Sequence, residues 1–285
     1  MIRIGKVAYT RLKTADLVSA SAFATKILGL QPADSRQGER HFRSDDRAQT
    51  LSYAEGDPAD NVIAFAIDED DLDPAAATLE RLGLAVRRGT RDECEVRQVR
   101  DFIAFEDFGG TRIELAASQQ VSGSRMFPSR DGGVTGFSHV GLYSSDVGRD
   151  EHFWTQVCNA RVSDWVGQLP LLRTTQVHHS IALIPAPKSG IQHINHQVAS
   201  IDDVLRSYNL LRQHNIRIVF GAGRHPTSGA RFVYFEGPDK MVYEFSVGVN
   251  EVDEDTYRER QFGFEPSSFC MWGSRPDLAE LRAGQ

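Results

Sequence analysis

The sequence is short of several things, and each shortage excludes something. No run approaches the roughly 18 apolar residues that a membrane-crossing helix needs. No basic segment followed by an apolar stretch opens the chain, so secretion is not expected either. Basic residues are outnumbered 32 to 39, and a net charge of −7 argues against a nucleic-acid partner, which needs a basic face. Cysteine is scarce. Cys94, Cys158 and Cys270 are widely spaced and odd in number, which fits reduced thiols in a cytoplasm better than a disulfide frame. No Gly-rich phosphate loop follows a strand pattern, which counts against a doubly wound α/β fold. Histidine is nearly missing from the first half of the chain, where His41 stands alone.

The 285 residues are 40% hydrophobic and 25% charged, a globular balance with room for about two domains. Loop-forming residues over Ser118–Gly133 (SQQVSGSRMFPSRDGG) divide the chain into halves of similar length. In the second half Ser138–Ser144 reads as a strand. Asp146 can cap a helix over Val147–Cys158 whose buried stripe is Val147, Phe153, Trp154 and Val157. Short segments follow at Ala160–Trp165, Leu169–Thr174 and His178–Pro185. The pattern then restarts, with a strand at Ile191–Ala199, a helix at Asp202–His214, and strands at Arg217–Phe220, Arg231–Phe235 and Met241–Ser246. The first half has the same plan, with Val7–Leu12, a helix over Asp16–Leu28, Val62–Ile67, a helix from about Asp70 to Leu82, and Arg112–Ala117. Tyr9 precedes Asp16 by seven residues, as His139 precedes Asp146. This internal repeat predicts an α+β fold of four βαβββ modules paired into two domains. The tail, with Phe262, Phe264, Phe269 and Trp272, is expected to pack back on the body.

The other eight histidines lie between His139 and His225. His139, His193 and Glu244 each fall near the centre of a predicted strand. Two imidazoles and one carboxylate can hold a divalent metal on one face and leave the other positions open. Strand alternation puts residues 193 and 195 on one face and 194 and 196 on the other, so His196 competes with His193 for the inward place. A lone strand histidine is more often a packed or surface residue. Glu244 is different, because Met241, Val242 and Phe245 surround it and a buried unpaired carboxylate is costly. A second polar set, His179, His225 and Tyr234, lies nearby in sequence.

The run GRHPTSGARFVYFEGPDKMVYEFS sets Tyr234 nine residues after His225, then Pro238, then Glu244 ten residues after Tyr234. Together with HHSIALIPAPKSGIQHINHQV, it resembles the catalytic domain of type I extradiol catechol dioxygenases of the vicinal oxygen chelate superfamily. The resemblance covers Thr135–Gly248 in detail and the whole chain in architecture. It implies that His139, His193 and Glu244 bind Fe(II), with Mn(II) as the alternative ion. It implies that His179 is the acid/base and that His225 and Tyr234 hydrogen-bond the substrate. His193 is preferred to His196 by its distance to the following Gln-Val, and His179 to His178 by its place before Ser180. The implied reaction inserts both atoms of O2 into a catecholic ring beside the vicinal diol, giving a muconic semialdehyde-type product.

By internal alignment Tyr9 stands for His139, Asn61 roughly for His193, and Glu114 for Glu244. Residues 1–120 therefore read as a repeat domain without a metal site, 134–249 as the catalytic domain, and 250–285 as the tail. A homo-oligomer is expected, with the first domain supplying packing. The segment Val162–Arg173, including Trp165, and tail residues such as Phe269 are expected to wall the pocket, with Arg161 and Arg173 as solvated charges. The rival readings are a glyoxalase-like enzyme of the same fold, a dioxygenase for a hydroquinone or a 2-oxoacid, and a metal-free binder of an aromatic ligand.

Overall fold

The computed structural model describes residues 1–36 and 38–282. One unit occurs four times: a strand, a helix, then three strands. The first is β1 (Ile4–Thr14), α1 (Leu17–Phe23), β2 (Gln31–Pro32), β3 (Glu39–Arg43) and β4 (Leu51–Glu55). The second is β5 (Val62–Ile67), α2 (Leu72–Arg81), β6 (Arg87–Arg88), β7 (Asp101–Glu106) and β8 (Arg112–Ala117), with an extra helix α3 (Arg91–Arg97) between β6 and β7. The third is β9 (Val134–Ser144), α4 (Val147–His152), β10 (Arg161–Val166), β11 (Leu169–Arg173) and β12 (Ile181–Pro185). The fourth is β13 (Ile191–Val198), α5 (Ile201–Gln213), β14 (Ile218–Arg224), β15 (Arg231–Glu236) and β16 (Val242–Val247). A short β17 (Arg260–Phe262) follows in the tail. No described helix is long and apolar enough to cross a membrane.

In every unit the first and last strands pair in parallel, which requires a crossover, and the helix is part of it. Units join through their first strands, β1 to β5 and β9 to β13, both antiparallel. The result is an eight-stranded sheet in the first half. A nine-stranded sheet forms in the second, where β17 extends the edge at β10. Local chemistry starts the helices as the sequence predicts. Asp16 accepts from the Ser19 amide at 2.9 Å and Asp146 from the Arg149 amide at 3.1 Å. Such a cap stabilises a helix by ~1 kcal/mol.

Strand alternation divides the second half between two cores. Val233, Phe235, Tyr243 and Phe245 join the main core, together with Val204 and Leu211 of α5. Phe232, Tyr234 and Val242 join a smaller cluster on the opposite face. The main core is continuous across both halves. The Phe65 ring lies 5.2 Å from that of Trp154, and the Tyr53 and Tyr243 hydroxyls meet at 2.5 Å. Arg47 is buried at the same seam and donates to the carbonyls of Val7, Ala8 and Phe137.

Some expectations need correction. The segment expected at His178–Pro185 is a strand only from Ile181, because residues 178–180 turn into it. In the tail Phe269 is buried and Phe262 half-buried, but Phe264 is 42% and Trp272 53% exposed. The tail is held by the β10–β17 pairing and by Phe269, Cys270 and Leu281, and Trp272 lies in the stretch between them, outside that packing.

His196 lies in register with Phe245 and Phe137, fully buried, with neither ring nitrogen hydrogen-bonded. Burial pushes its pKa down to about 4. The unfolded chain therefore binds a proton near pH 6.5 that the folded chain refuses, and stability must fall as pH drops from about 6.5 toward 4. Between pH 6.5 and 5 this residue should account for about 2 kcal/mol of that loss. Denaturant unfolding of His196→Phe at both pH values should show a correspondingly flatter dependence. An unchanged slope would contradict the assignment.

Candidate metal centre

Three contiguous strands, β9, β13 and β16, carry His139, His193 and Glu244. The β9–β13 pairing shifts register on either side of His193 and Ile194, the kind of bulge that re-aims a side chain. Gly141 lies opposite His193, and a Cβ there would fall 2.3 Å from the His193 Nδ1. The site therefore needs a residue without a side chain at 141. The His139 Nε2 lies 2.9 Å and the His193 Nε2 3.8 Å from the Glu244 Oε2. One ligand atom from each of the three residues falls within 4.8 Å of the others. His196 is on the other face of β13, so His193 is the histidine brought to the cluster.

These groups fit a divalent ion for a specific reason. All three are buried, and beyond the close approach of His139 to Glu244 the His139 Nε2, the His193 Nε2 and both Glu244 carboxylate oxygens make no well-directed hydrogen bond. Such atoms are costly unless something compensates them. Burial pushes the Glu244 carboxyl up, but the surrounding imidazoles of His139, His193 and His225 outweigh it and hold it down to about 2. Burial, then repulsion by His139, pushes His193 down to about 3. An ionised carboxylate beside neutral imidazole is the protonation state that a metal requires. The His193 Nδ1 meets the Gln192 Oε1, which fixes the tautomer that leaves Nε2 free. The Gln192 amide nitrogen in turn donates at 3.1 Å to Glu280 of the tail, which also accepts from the Tyr143 hydroxyl at 3.0 Å.

His179, His225 and Tyr234 reach the same place. With His193 they line one cavity whose other walls include Leu169, Leu171, Phe220 and Phe269. Among the described residues no Lys or Arg lines it. The His179 ring centroid is 4.3 Å from that of His139. The His225 Nδ1–H donates to the Phe269 carbonyl at 2.8 Å, so its Nε2 accepts from the Tyr234 hydroxyl at 3.2 Å. His225 also stacks on Phe232 at 3.9 Å. Burial drives His179 well below the ordinary histidine range, with repulsion from His139 and His178 adding to it.

The expected pocket wall is only partly right. Val166, Leu169, Leu171 and Phe269 line the cavity, but Trp165 does not. It alternates with Val166 on β10, and its indole N–H donates to Glu151 at 3.1 Å. Arg161 and Arg173 both pair with Glu254, and Arg173 is buried rather than solvated. Sequence reading also passed over Gln192 and Asp164. Asp164 is a fully buried carboxylate within the strand RVSDWV, and the burial argument used for Glu244 would have flagged it.

The first half compensates its corresponding carboxylate in another way. The Tyr9 hydroxyl donates to Glu114 at 2.7 Å, and the Arg97 guanidinium makes two bonds to it at 2.6 and 2.8 Å. Arg97 comes from α3, which the fourth unit lacks. Register corrects one correspondence. Glu244 pairs with Asn195 as Glu114 pairs with Ala64, so His193 corresponds to Val62, not Asn61. The Asn61 side chain instead accepts from the Lys13 amide at 2.6 Å.

Comparison with known proteins gives a consistent picture. Residues 6–115 and 136–245 each match the Glyoxalase/Bleomycin resistance protein/Dioxygenase superfamily. The chain is 29% identical over 268 residues to 3-methylcatechol 2,3-dioxygenase of Pseudomonas putida, covering 87% of this chain and 91% of the relative. It superposes with a TM-score of 0.88 on a Mn(II)-bound glyoxalase from Novosphingobium aromaticivorans, at 25% identity over 100% of this chain and 96% of the other. It superposes at 0.87 on a halotolerant catechol dioxygenase, at 24% identity over 99% and 97%.

Two variants separate the two halves. Gly141→Ala should displace the His193 ring and weaken metal binding by about tenfold or more, read as Fe(II) or Mn(II) retained after dialysis. Wild-type retention would contradict the crowding argument. Glu114→Ala leaves Arg97 buried without its partner and should lower stability by about 3–5 kcal/mol while metal content per folded chain stays unchanged. A drop in bound metal would mean that the first half also holds an ion.

Proposed function

The chain belongs to the Glyoxalase/Bleomycin resistance protein/Dioxygenase superfamily, and we propose that it is an extradiol ring-cleaving dioxygenase acting on a catecholic aromatic. One observation carries this reading. The buried His139–His193–Glu244 cluster reaches, through His193, a largely apolar cavity that His179, His225 and Tyr234 also line. The name of the Pseudomonas putida relative supports it. The ligand set, two histidines and a carboxylate, supports Fe(II) as the resident ion, and Mn(II) is the alternative. Residues 134–249 then form the catalytic domain, 1–120 a domain without a metal site, and 250–285 the tail.

An ion held by His139, His193 and Glu244 would supply Lewis acidity and redox capacity beside the catechol. The protein supplies the rest. His179, kept neutral by burial, takes a proton from a catechol hydroxyl and later returns it to an oxygen of the opening ring. The Tyr234 hydroxyl can turn from His225 toward a substrate oxygen and stabilise charge developing there. Leu169, Leu171, Phe220 and Phe269 exclude water and favour a ring whose substituent is apolar. A carboxylated catechol would find no cation in the walls.

Protein loaded anaerobically with Fe(II) should consume one O2 per catechol and form a yellow ring-opened product of the muconic semialdehyde type. 3-Methylcatechol and 2,3-dihydroxybiphenyl should outrun a carboxylated catechol. Glu244→Ala should lose the metal. His179→Asn should keep it and lose about 100-fold or more in turnover. Uptake only with a hydroquinone would change the substrate class. Bound metal without uptake from any of these compounds would favour a glyoxalase-like enzyme.

A further inference from the structure

His178 and Asp164 have no place in the ring-cleavage reading as stated, yet both are fully buried next to it. Asp164 accepts five hydrogen bonds. Its Oδ1 receives the Arg260 amide and Nε, each at 3.0 Å, and the Tyr257 hydroxyl at 3.3 Å. Its Oδ2 receives the Arg260 Nη2 at 2.7 Å and the His178 Nε2 at 2.8 Å. A carboxylate met by a guanidinium is ionised and has no hydrogen to give, so the His178 Nε2 carries the hydrogen. Arg260 pairs with Asp164 through both its Nε and its Nη2, so the carboxylate's charge is met without a second proton on His178. Neutral His178 presents its Nδ1 lone pair to the His179 Nδ1, 3.2 Å away. Of two facing nitrogens one must carry a hydrogen, and here it is the His179 Nδ1. The His179 Nε2 is then left with a free lone pair on a ring that lines the cavity. The backbone of His178 is held as well. Its amide donates to the Asn250 carbonyl at 2.9 Å, and its carbonyl accepts from the Ser163 hydroxyl at 2.5 Å.

We propose that Asp164 and His178 are positioning residues that lock His179 in the tautomer with Nε2 unprotonated, so that it meets the substrate as a base. The proposal rests on the ring-cleavage reading for what His179 does, but not for which nitrogen carries the proton. Arg260 and Tyr257 lie in the tail, so the tail helps hold the base in register.

The test has a readout independent of turnover. Long-range proton–nitrogen NMR of 15N-histidine-labelled full-length protein, loaded with diamagnetic Zn(II), should find His178 protonated at Nε2 only and His179 at Nδ1 only. A His179 protonated at Nε2 overturns the proposal. In Fe(II)-loaded protein turning over 3-methylcatechol, His178→Phe should lower kcat by about 10- to 100-fold, with KM within ~3-fold and metal content unchanged. An unchanged kcat overturns it too. If that variant does not fold, the wild-type tautomers still decide. The predicted tautomers in a protein that consumes no O2 with any catechol would overturn the ring-cleavage reading and leave the tautomer assignment standing.

Discussion

The second half of this protein is organised around a carboxylate that has no exit to water. Glu244 is 1% exposed in the middle of a nine-stranded sheet. Such a charge has to be compensated where it stands. Two neighbouring strands bring imidazoles to it, a glycine at 141 makes room for one of them, and Gln192 fixes that ring's tautomer. The imidazoles hold the carboxyl ionised, and burial keeps His193 neutral at ordinary pH. Glu244 and His193 are therefore already in the state in which they bind a divalent ion. Packing, register and charge lead to one outcome rather than to separate ones.

The first half meets the same constraint on the same scaffold with a different solution. Glu114 occupies the place of Glu244, but its partners are a tyrosine hydroxyl and a guanidinium. The extra helix α3, held at its start by the Thr90–Glu93 capping box, delivers Arg97 to the carboxylate. A fixed cation satisfies the carboxylate and leaves it nothing to offer an ion. The two halves thus compare the same buried acid with and without free imidazole lone pairs.

Much of this was legible in the sequence, because the informative signals are local. Period-two strands, Asp16 and Asp146 as caps, and the spacing of Tyr9 and His139 before those caps were enough to infer the fourfold unit. Glu244 stood out because its neighbours are apolar. What escaped was set by pairing rather than by pattern. Strand register makes Val62, not Asn61, the counterpart of His193. Alternation on β10 turned Trp165 away from the cavity while Val166 lines it. Arg173 reads as a surface charge until Glu254, far along the chain, is folded against it. The strands β3, β4 and β7 went unread because polar residues such as Glu39, Arg40, Ser52 and Asp101 interrupt their apolar pattern. The role of His178 could not be read at all without Asp164 and Arg260 beside it.

The proposed chemistry depends on one metal ion held in the second half by His139, His193 and Glu244. Anomalous diffraction at the iron edge from anaerobically grown, Fe(II)-loaded crystals tests it most directly. One peak per chain is expected, about 2 Å from the two Nε2 atoms and a Glu244 oxygen, and none between Tyr9 and Glu114. A peak elsewhere, a second peak in the first half, or none in protein shown to contain iron would contradict it.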